Sequence, residues 1–275
     1  MQSARQIIVS GSFDDLRSRD LRLLEEASKL GEVNVLLWSD EAVKAATGAP
    51  PKFQLPERQY LVEAVRYVKK VHVSGDASIG LPAVAGLEPA IWVADESSPR
   101  SAQGAAREAF CKGAGIEYRV LATEDLAGFP TPPPQKPSGR KKVVATGCYD
   151  WFHSGHVRFC EEVSSLGDLY VVVGHDRNIL LLKGDGHPLF SEDERRYVVG
   201  SIRYVTQALI SSGNGWMDAE PEIEKIKPDM YAVNEDGDVP EKREFCRTHG
   251  LEYVVLKRTP KEGLTRRSST NLRGF

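Results

Sequence analysis

The stretch GCYDWFHSGHVRF, residues 147–159, follows an apolar run typical of a buried strand and leads into a helical pattern. A second stretch, GSFDDLRSRDLRL at residues 11–23, repeats its outline. Aligned without a gap, residues 11–35 and 147–171 are identical at 10 of 25 positions. The two copies differ where the later one carries a pair of histidines. The chemistry of those histidines is therefore the first clue to what the protein does.

The similarity between the two halves extends well beyond this motif. ERQYLVEAVRYV at 57–68 matches ERRYVVGSIRYV at 194–205 in 7 of 12 positions, and REAFCKGAGIEYRVL at 107–121 resembles KREFCRTHGLEYVVL at 242–256. The offset stays between 135 and 137 residues throughout. A repeat that keeps one offset over most of the chain indicates a tandem duplication of a whole domain.

A proline-rich run, AGFPTPPPQKPSGRKK, separates the two copies. Its five prolines disfavour a helix and favour an extended, semi-rigid spacer. The sequence therefore predicts a first domain at residues 1–129, a linker at 130–140 and a second domain at 141–275.

Each half alternates apolar, strand-like runs with helical segments. In the second half, KKVVATG, LYVVVGHD, DMYAVN and LEYVVLKR have the apolar character of strands that are covered on both faces. Helical patterns lie between them, and one of them, SEDERRYVVGSIRYV, begins with a Ser-x-x-Glu capping box at Ser191 and is predicted to be helical throughout. This order predicts an α/β protein with two tandem doubly wound parallel-sheet domains of Rossmann-like type. Ligands in such sheets bind beyond the carboxyl ends of the strands, where His153 and His156 are expected.

The bulk composition argues against several classes of protein. The 275 residues are 41% apolar and 27% charged, as in a globular protein, and the net charge of −3 argues against a mainly electrostatic nucleic-acid binder. The sequence contains no apolar run long enough for a membrane span and no signal-peptide pattern, which predicts a cytoplasmic protein. The four cysteines form no CxxC pair, so neither a zinc site nor a disulfide framework is expected. A homodimer is left open.

His153 and His156 are the residues best placed for chemistry. Spaced three apart at the start of a predicted helix, they would share one face beside the free N–H groups and the partial positive charge of the helix terminus. A phosphate is the natural ligand of such a cluster of donors. Gly155 would let the backbone approach that ligand closely. No third metal ligand lies at suitable spacing, so a metal site is not predicted. The plainer alternative is a pair of surface histidines.

Three separated motifs resemble those of the cytidylyltransferase-like nucleotidyltransferases. GCYDWFHSGH resembles the HxGH signature of that family, LLLKGDGHPLFSEDERR at 180–196 its lysine loop, and RRSSTNLR at 266–273 its carboxyl-terminal ISTT or ISST element. The resemblance covers most of residues 141–273, and the tandem layout is similar to that of ethanolamine-phosphate cytidylyltransferases. It implies catalytic roles for His153, His156 and Lys183. It implies nucleotide binding by Gly147, Cys148, Tyr149, Gly155, Asn234, Arg258, Arg267, Ser268, Ser269 and Thr270.

Two of these assignments stay open. Family members carry Arg-Thr shortly before the Ser-Thr-Thr element, whereas the Arg-Thr pair at Arg258 lies ten residues before the first serine of that element here. Either Arg258 or Arg267 could take the arginine role. Asn234 and Asp236, which follow the strand DMYAVN, are candidates for contacts to the nucleotide base. An ordinary turn is the alternative explanation of those two residues.

The resemblance implies a direct displacement reaction. A phosphate oxygen of the acceptor attacks the α-phosphorus of a nucleoside triphosphate and pyrophosphate leaves, so no protein nucleophile is needed. Mg²⁺ held mainly by the nucleotide phosphates is expected. The expected substrates are CTP and a phospho-alcohol or amino-alcohol phosphate.

Two alternatives to this reaction remain. One is an adenylyltransferase that uses ATP and a sugar phosphate or similar acceptor, because KGDGHP resembles the KGDxRP loop of the domain that adenylylates heptose phosphate. The other belongs to a different class, a non-catalytic nucleotide-binding regulatory protein.

The first half lacks all three phosphate-handling motifs. Arg17 and Asp20 stand in place of the two histidines, and Ala46 aligns with Lys183. No Ser-Ser-Thr element follows IEYRVL in this half. The sequence therefore predicts that the first half is a degenerate, non-catalytic copy.

Overall fold

The computed structural model describes residues 5–79, 86–98 and 101–272, without the side chains of residues 270 and 271. The chain divides into two compact units, Met1–Gly128 and Phe129–Phe275. In the described residues no helix is both long and apolar enough to cross a lipid bilayer.

The first unit is built on a five-stranded parallel sheet with helices between the strands. Its strands are β1 (Gln6–Gly11), β2 (Glu32–Trp38), β3 (Val68–Ser74), β4 (Ile91–Asp95) and β5 (Glu117–Leu121). The α-helices in its described part are α1 (Ser18–Ser28), α2 (Asp40–Thr47), α3 (Leu55–Glu63) and α4 (Ala102–Ala114). The strand order is β3-β2-β1-β4-β5.

The second unit repeats this plan. Its strands are β6 (Lys142–Gly147), β7 (Asp168–Val173), β8 (Val205–Ile210), β9 (Met230–Asn234) and β10 (Glu252–Leu256). The α-helices in its described part are α5 (Ser154–Leu166), α6 (Asp176–Lys183), α7 (Glu192–Gly200), α8 (Glu220–Ile226), α9 (Pro240–His249) and α10 (Ser269–Leu272). The strand order is β8-β7-β6-β9-β10, again all parallel. The predicted fold class, two tandem parallel-sheet α/β domains, is confirmed.

The strand order explains where a ligand can bind in the second unit. β6 is the central strand and pairs with β7 on one side and β9 on the other. The connections therefore leave β6 and β9 in opposite directions, and a crevice opens between their carboxyl ends. The helix α5, which begins at the HxGH motif, starts at the mouth of this crevice.

Two local expectations were wrong in the second unit. The segment ERRYVVGSIRYV is helical only up to Gly200, and the run VTQALI forms the additional strand β8, whose β-branched residues suit a sheet. The segment LLLK, predicted as part of a loop, instead ends the helix α6. The ring nitrogen Nδ1 of His175 caps that helix by accepting a 3.2 Å hydrogen bond from the N–H of Asn178.

A buried arginine holds the motif loop to the sheet in each unit. Arg195 in α7 is 1% exposed, and Arg58 in α3 is fully buried. The guanidinium of Arg195 donates at 2.6–2.8 Å to the carbonyls of Phe190, Cys148 and Gly174 and to the carboxylate of Asp176. The guanidinium of Arg58 makes the matching bonds at 2.6–2.9 Å to Phe53, Ser12, Trp38 and Asp40. A buried cation with this many acceptors fixes the backbone that follows the first strand of each sheet.

The proline-rich segment belongs to the second unit. The N–H of Gln135 donates to the carbonyl of Thr206 at 2.8 Å, and its side-chain amide donates to the carbonyls of Arg203 and Val205. The hydroxyl of Ser138 donates to Asp168 at 2.7 Å. The segment thus runs alongside β8, where Gln135 donates hydrogen bonds to backbone carbonyls at the start of that strand.

Candidate active site

The crevice between β6 and β9 brings together most of the residues that the motifs single out. Its volume is about 160 Å³. It is lined by Thr146, Gly147, Cys148, Tyr149, His153, Gly155, His156, Phe159, Ala232, Val233, Asn234, Asp236, Gly237, Lys242 and Arg258. Segments that are far apart in sequence therefore meet at the switch point of the sheet, where the fold leaves room for a ligand.

The two histidines close the amino terminus of α5 as a reciprocal cap. The Nδ1 atom of His153 accepts a hydrogen bond from the N–H of Gly155 at 3.1 Å, and the Nδ1 atom of His156 accepts one from the N–H of His153 at 3.3 Å. Their rings stack with centroids 4.0 Å apart. Because both Nδ1 atoms act as acceptors, each neutral ring carries its proton on Nε2.

The Nε2 atom of His153 is a buried donor without a partner. The residue is 3% exposed, and Nε2 has no hydrogen-bond partner among the described residues. A buried, unsatisfied N–H costs free energy unless a ligand supplies an acceptor. A phosphate oxygen in the crevice would be such an acceptor.

Both imidazoles are held in the neutral form. Burial, reinforced by the positive charges of Arg258 and Arg267, lowers the pKa of His153 to about 3. Burial is also the main cause that lowers the pKa of His156 well below its usual value, with further contributions from His153, Arg258 and Lys183. At neutral pH the pair therefore acts through N–H donors and not through positive charge.

Glycines in the motif make room for its own rings. A Cβ atom on Gly155 would lie 2.9 Å from the Cε1 atom of His153, and one on Gly147 would lie 3.0 Å from the ring of Tyr149. The backbone at Gly155 thus lies close to the ring of His153. The sequence had instead predicted that it would lie close to the ligand. Tyr149 has a φ of 54°, and its ring centroid lies 5.3 Å from that of His156. Tyr149 therefore packs beside His156 on the crevice wall.

Asp150 holds the loop that follows α6. Its Oδ1 atom accepts hydrogen bonds from the backbone N–H groups of Leu189 at 2.6 Å and Phe190 at 3.2 Å. Asp14 accepts equivalent bonds from Lys52 and Phe53 in the first unit. The carboxylate thus orders the loop.

Lys183 is the last residue of α6 and is exposed. It is not among the residues that line the crevice, yet its positive charge acts electrostatically on two of them, Cys148 and His156. Burial raises the pKa of the Cys148 thiol, and the positive charge of Lys183 opposes that rise most strongly. Gly184 and Gly186, both with positive φ near 80°, follow Lys183 and give the backbone its turn out of the helix. Lys183 therefore stands beside the crevice on the α6 side.

Arg258 enters the crevice, whereas Arg267 lines an adjoining hollow. The guanidinium of Arg258 is paired with the carboxylate of Asp236 and donates to the carbonyl of Arg267 at 3.1 Å. The side chain that shares a wall with both histidines is thus that of Arg258. Asn234, at the end of β9, borders both cavities.

The serine-rich element lies at the start of α10. The N–H of Leu272 donates to the carbonyl of Ser268 at 3.2 Å, and the hydroxyl of Ser269 donates to the carbonyl of Trp151 at 3.1 Å. The element therefore contacts the loop that carries the histidines. The side chain of Thr270 lies outside the described residues.

The first unit keeps the cap but not the donors. The N–H of Arg17 donates to the carboxylate of Asp20 at 2.9 Å, which reproduces the bond between the two histidines. Burial raises the pKa of Asp20 to about 6, opposed by that hydrogen bond and reinforced by the charges of Asp95 and Asp15. The side chain of Arg17 is paired with Asp15 at 2.7 Å. An anion would meet carboxylates here and not imidazole N–H groups.

The structure corrects the alignment of the lysine. The helices α2 and α6 have the same length and both end at a glycine, Gly48 or Gly184. This match places Thr47 opposite Lys183, so the earlier alignment with Ala46 was wrong by one residue. The loop after the helix is one residue longer in the second unit, which explains the shift. The first unit still has no lysine at this position.

Lys242 is a crevice residue that the sequence motifs did not reveal. It lies in α9, and its Nζ atom donates to the carbonyl of Gly237 at 3.0 Å. In the first unit the matching position, fixed by the Cys111–Cys246 alignment, is occupied by Arg107. The shared positive charge was visible in the sequence, but its position on the crevice wall depends on the loop after β9.

Known proteins resemble the second half of this chain. Residues 144–274 match the family described as cytidylyltransferase-like. An FAD synthase of Ferroglobus placidus is 40% identical over 125 residues, which cover 44% of this chain and 78% of that protein. An FAD synthase of Archaeoglobus profundus is 34% identical over 134 residues, which cover 48% of this chain and 83% of that protein.

A longer relative matches over part of its length only. The bifunctional protein HldE of Campylobacter concisus is 35% identical over 126 residues, which cover 45% of this chain but only 25% of that protein. Together with the HxGH helix cap and the crevice at the switch point, these matches establish the family. The chain belongs to the cytidylyltransferase-like nucleotidyltransferases and is an enzyme of that group.

Proposed function

We propose that the second half transfers AMP from ATP to the phosphate group of a small phosphorylated acceptor. The sequence favoured CTP, with ATP as the alternative. FAD contains AMP joined to a phosphorylated flavin, so relatives named FAD synthase support ATP as the nucleotide. The acceptor is then a sugar phosphate or a similar phosphorylated molecule. The family description as cytidylyltransferase-like is the observation that keeps CTP as the second candidate.

The observation that carries the proposal is the unpartnered Nε2 donor of His153 in the crevice. A phosphoryl transfer that passes through no protein nucleophile needs donors aimed at the phosphate oxygens, where negative charge builds. The two imidazoles provide such donors, and their lowered pKa values keep both rings neutral at neutral pH. Lys183, whose charge acts on His156, then supplies positive charge near the pair.

In the proposed reaction, an oxygen of the acceptor phosphate attacks the α-phosphorus of ATP. A new P–O bond forms, the bond to the β-phosphate oxygen breaks, and pyrophosphate leaves with the bonding electron pair. The imidazole N–H groups bind the oxygens of the α-phosphate, while Lys183 approaches from the end of α6. The chain positions the two anions and need not accept a proton itself.

The nucleotide would enter as its Mg²⁺ complex. Among the described residues no group of three or more His, Cys, Asp or Glu side chains is arranged to hold a metal ion. The phosphate oxygens would therefore provide most ligands of the ion.

The first half is proposed to be non-catalytic. Its helix cap is closed by Asp20, and the side chain of Arg17 is engaged by Asp15. A carboxylate at the position of His156 would repel the phosphates of a nucleotide. This half retains the arginine and aspartate contacts that order the fold, which supports a structural role.

A pyrophosphate-release assay tests the proposal. The four nucleoside triphosphates are combined with FMN, with sugar phosphates and with phosphorylated alcohols. Turnover with ATP and one acceptor class is expected, and His153→Ala should abolish it. Turnover with CTP alone would replace ATP by the second candidate. Nucleotide binding without pyrophosphate release for any acceptor would favour the regulatory alternative.

A further inference from the structure

Lys242 brings a positive charge to the crevice that no carboxylate in the described residues neutralises by a salt bridge. Its Nζ atom donates to the carbonyl of Gly237 at 3.0 Å, and it is half-buried on the crevice wall. The other cation in the crevice, Arg258, is already paired with Asp236. Among the described residues that line the crevice, Lys242 is therefore the cation whose charge is not taken up by a salt bridge.

The partial burial of Lys242 favours an interaction between its ammonium group and an anionic ligand. Burial lowers the pKa of Lys242, and the nearby carboxylates of Asp236 and Asp238 only partly oppose this. A partly desolvated ammonium group interacts more strongly with an anion than a fully hydrated one does. The two histidines across the crevice are neutral, so they leave the charge of an entering phosphate uncompensated.

The first unit shows what the same position does without a phosphate site. Arg107 occupies the matching place in α4, but its guanidinium donates to the carbonyls of Ala77 and Ser78. It also lies over the rings of Trp38 and Trp92, at 5.5 and 6.0 Å from their centroids. There the cation is buried in the fold at 3% exposure. In the part of the chain that the structure describes, the copy with the histidine pair is the one in which the cation lines an open crevice.

We propose that Lys242 is a further nucleotide-binding residue, whose ammonium group offers the crevice a positive charge that no salt bridge among the described residues takes up. This inference rests on the proposed function, because it assumes that the crevice holds a nucleoside triphosphate. Lys242 approaches from the β9 side, whereas Lys183 approaches from α6. The two lysines are thus held by different helices, α6 and α9, and Lys242 is the one that lines the crevice.

The test is calorimetric titration of the full chain with MgATP and with MgCTP. The variants are Lys242→Gln, which removes the charge, and Lys242→Arg, which keeps it. Lys225→Gln is the matched control, because Lys225 lies on α8 of the same unit, is 73% exposed and does not line the crevice. Loss of one charge-assisted contact predicts nucleotide binding about 10- to 100-fold weaker in Lys242→Gln. Lys242→Arg should recover part of that loss, and Lys225→Gln should bind like the wild type.

A second measurement does not depend on substitution. Acetylation of surface lysines with an N-hydroxysuccinimide ester is followed by mass spectrometry, with and without MgATP. MgATP should slow acetylation of Lys242 and leave Lys225 unchanged. Lys242 acetylated at the same rate in both samples would overturn the proposal.

The outcomes separate this inference from the proposed function. If the wild type binds nucleotide and Lys242→Gln binds equally well, Lys242 is not a ligand although the proposed function stands. If Lys242→Arg binds as weakly as Lys242→Gln, the role of positive charge is refuted. If the wild type binds neither nucleotide, the proposed function fails and this inference fails with it.

Discussion

The depressed pKa of His153 makes the stability of the second unit depend on pH. The folded imidazole has a pKa of about 3, whereas an unfolded one titrates near 6.5. Between about pH 6.5 and pH 3 the imidazole is therefore protonated in the unfolded chain but not in the folded one. Stability is fully present above pH 6.5 and is lost as the pH falls toward 3. At pH 5 the difference is about 1.5 pKa units at ~1.36 kcal/mol each, or about 2 kcal/mol from this residue.

The substitution His153→Asn isolates this contribution. An asparagine oxygen can accept the hydrogen bond from the N–H of Gly155, so the helix cap is kept while the titrating group is removed. Between pH 7 and pH 5 the wild type should lose about 2 kcal/mol more of its unfolding free energy than the variant. Hydrogen exchange of β6 and β7 peptides in urea, corrected for intrinsic rates, reports on the second unit alone.

Equal pH dependence in the two proteins would contradict the reasoning. It would mean that His153 is protonated in the folded chain as readily as in the unfolded one. The neutral, Nε2-protonated imidazole assigned to the crevice would then be incorrect. His156 is present in both proteins, and burial, the main cause of its lowered pKa, is kept in the variant, so its own titration contributes to both.

Three further predictions concern catalysis. His156→Asp should keep the helix cap, as Asp20 does in the first unit, yet lower turnover by roughly two to three orders of magnitude, measured as pyrophosphate release at saturating ATP. Lys183→Ala should fold normally because the residue is exposed, but it should bind nucleotide more weakly and turn over far more slowly. Lys183→Arg should restore turnover only in part. Full turnover of Lys183→Ala would show that the end of α6 is not part of the site. The double variant Arg17→Ala with Asp20→Ala should leave turnover near the wild-type value, and a large drop would show that the first half takes part in the reaction.

The sequence predicted the fold class because the apolar runs of a parallel sheet are continuous and the duplication repeats them. It placed both histidines at the start of a helix, where the structure has them. It missed β8, because the residues after Gly200 continue a helical pattern and only the pairing with β7 decides against it. It also missed Lys242, since nothing in the local pattern of α9 shows which side of the helix meets the crevice. Local sequence patterns thus predicted most helices, strands and motifs. Strand pairing and the paths of the loops determine β8 and the position of Lys242, which local patterns do not show.

The comparison of the two copies separates two roles of the histidine pair. One role is structural, since both Nδ1 atoms accept backbone N–H groups at the start of α5. Asp20 fulfils the same role in the first unit, so a carboxylate is sufficient for the cap. The other role needs an N–H donor on the far side of the ring, which imidazole has and carboxylate lacks. A neutral imidazole combines both roles, since one ring nitrogen accepts a backbone hydrogen bond while the other offers an N–H group to a phosphate. The first copy has the cap without the imidazole donors, so the helix start can be ordered by a side chain that offers a phosphate no N–H group.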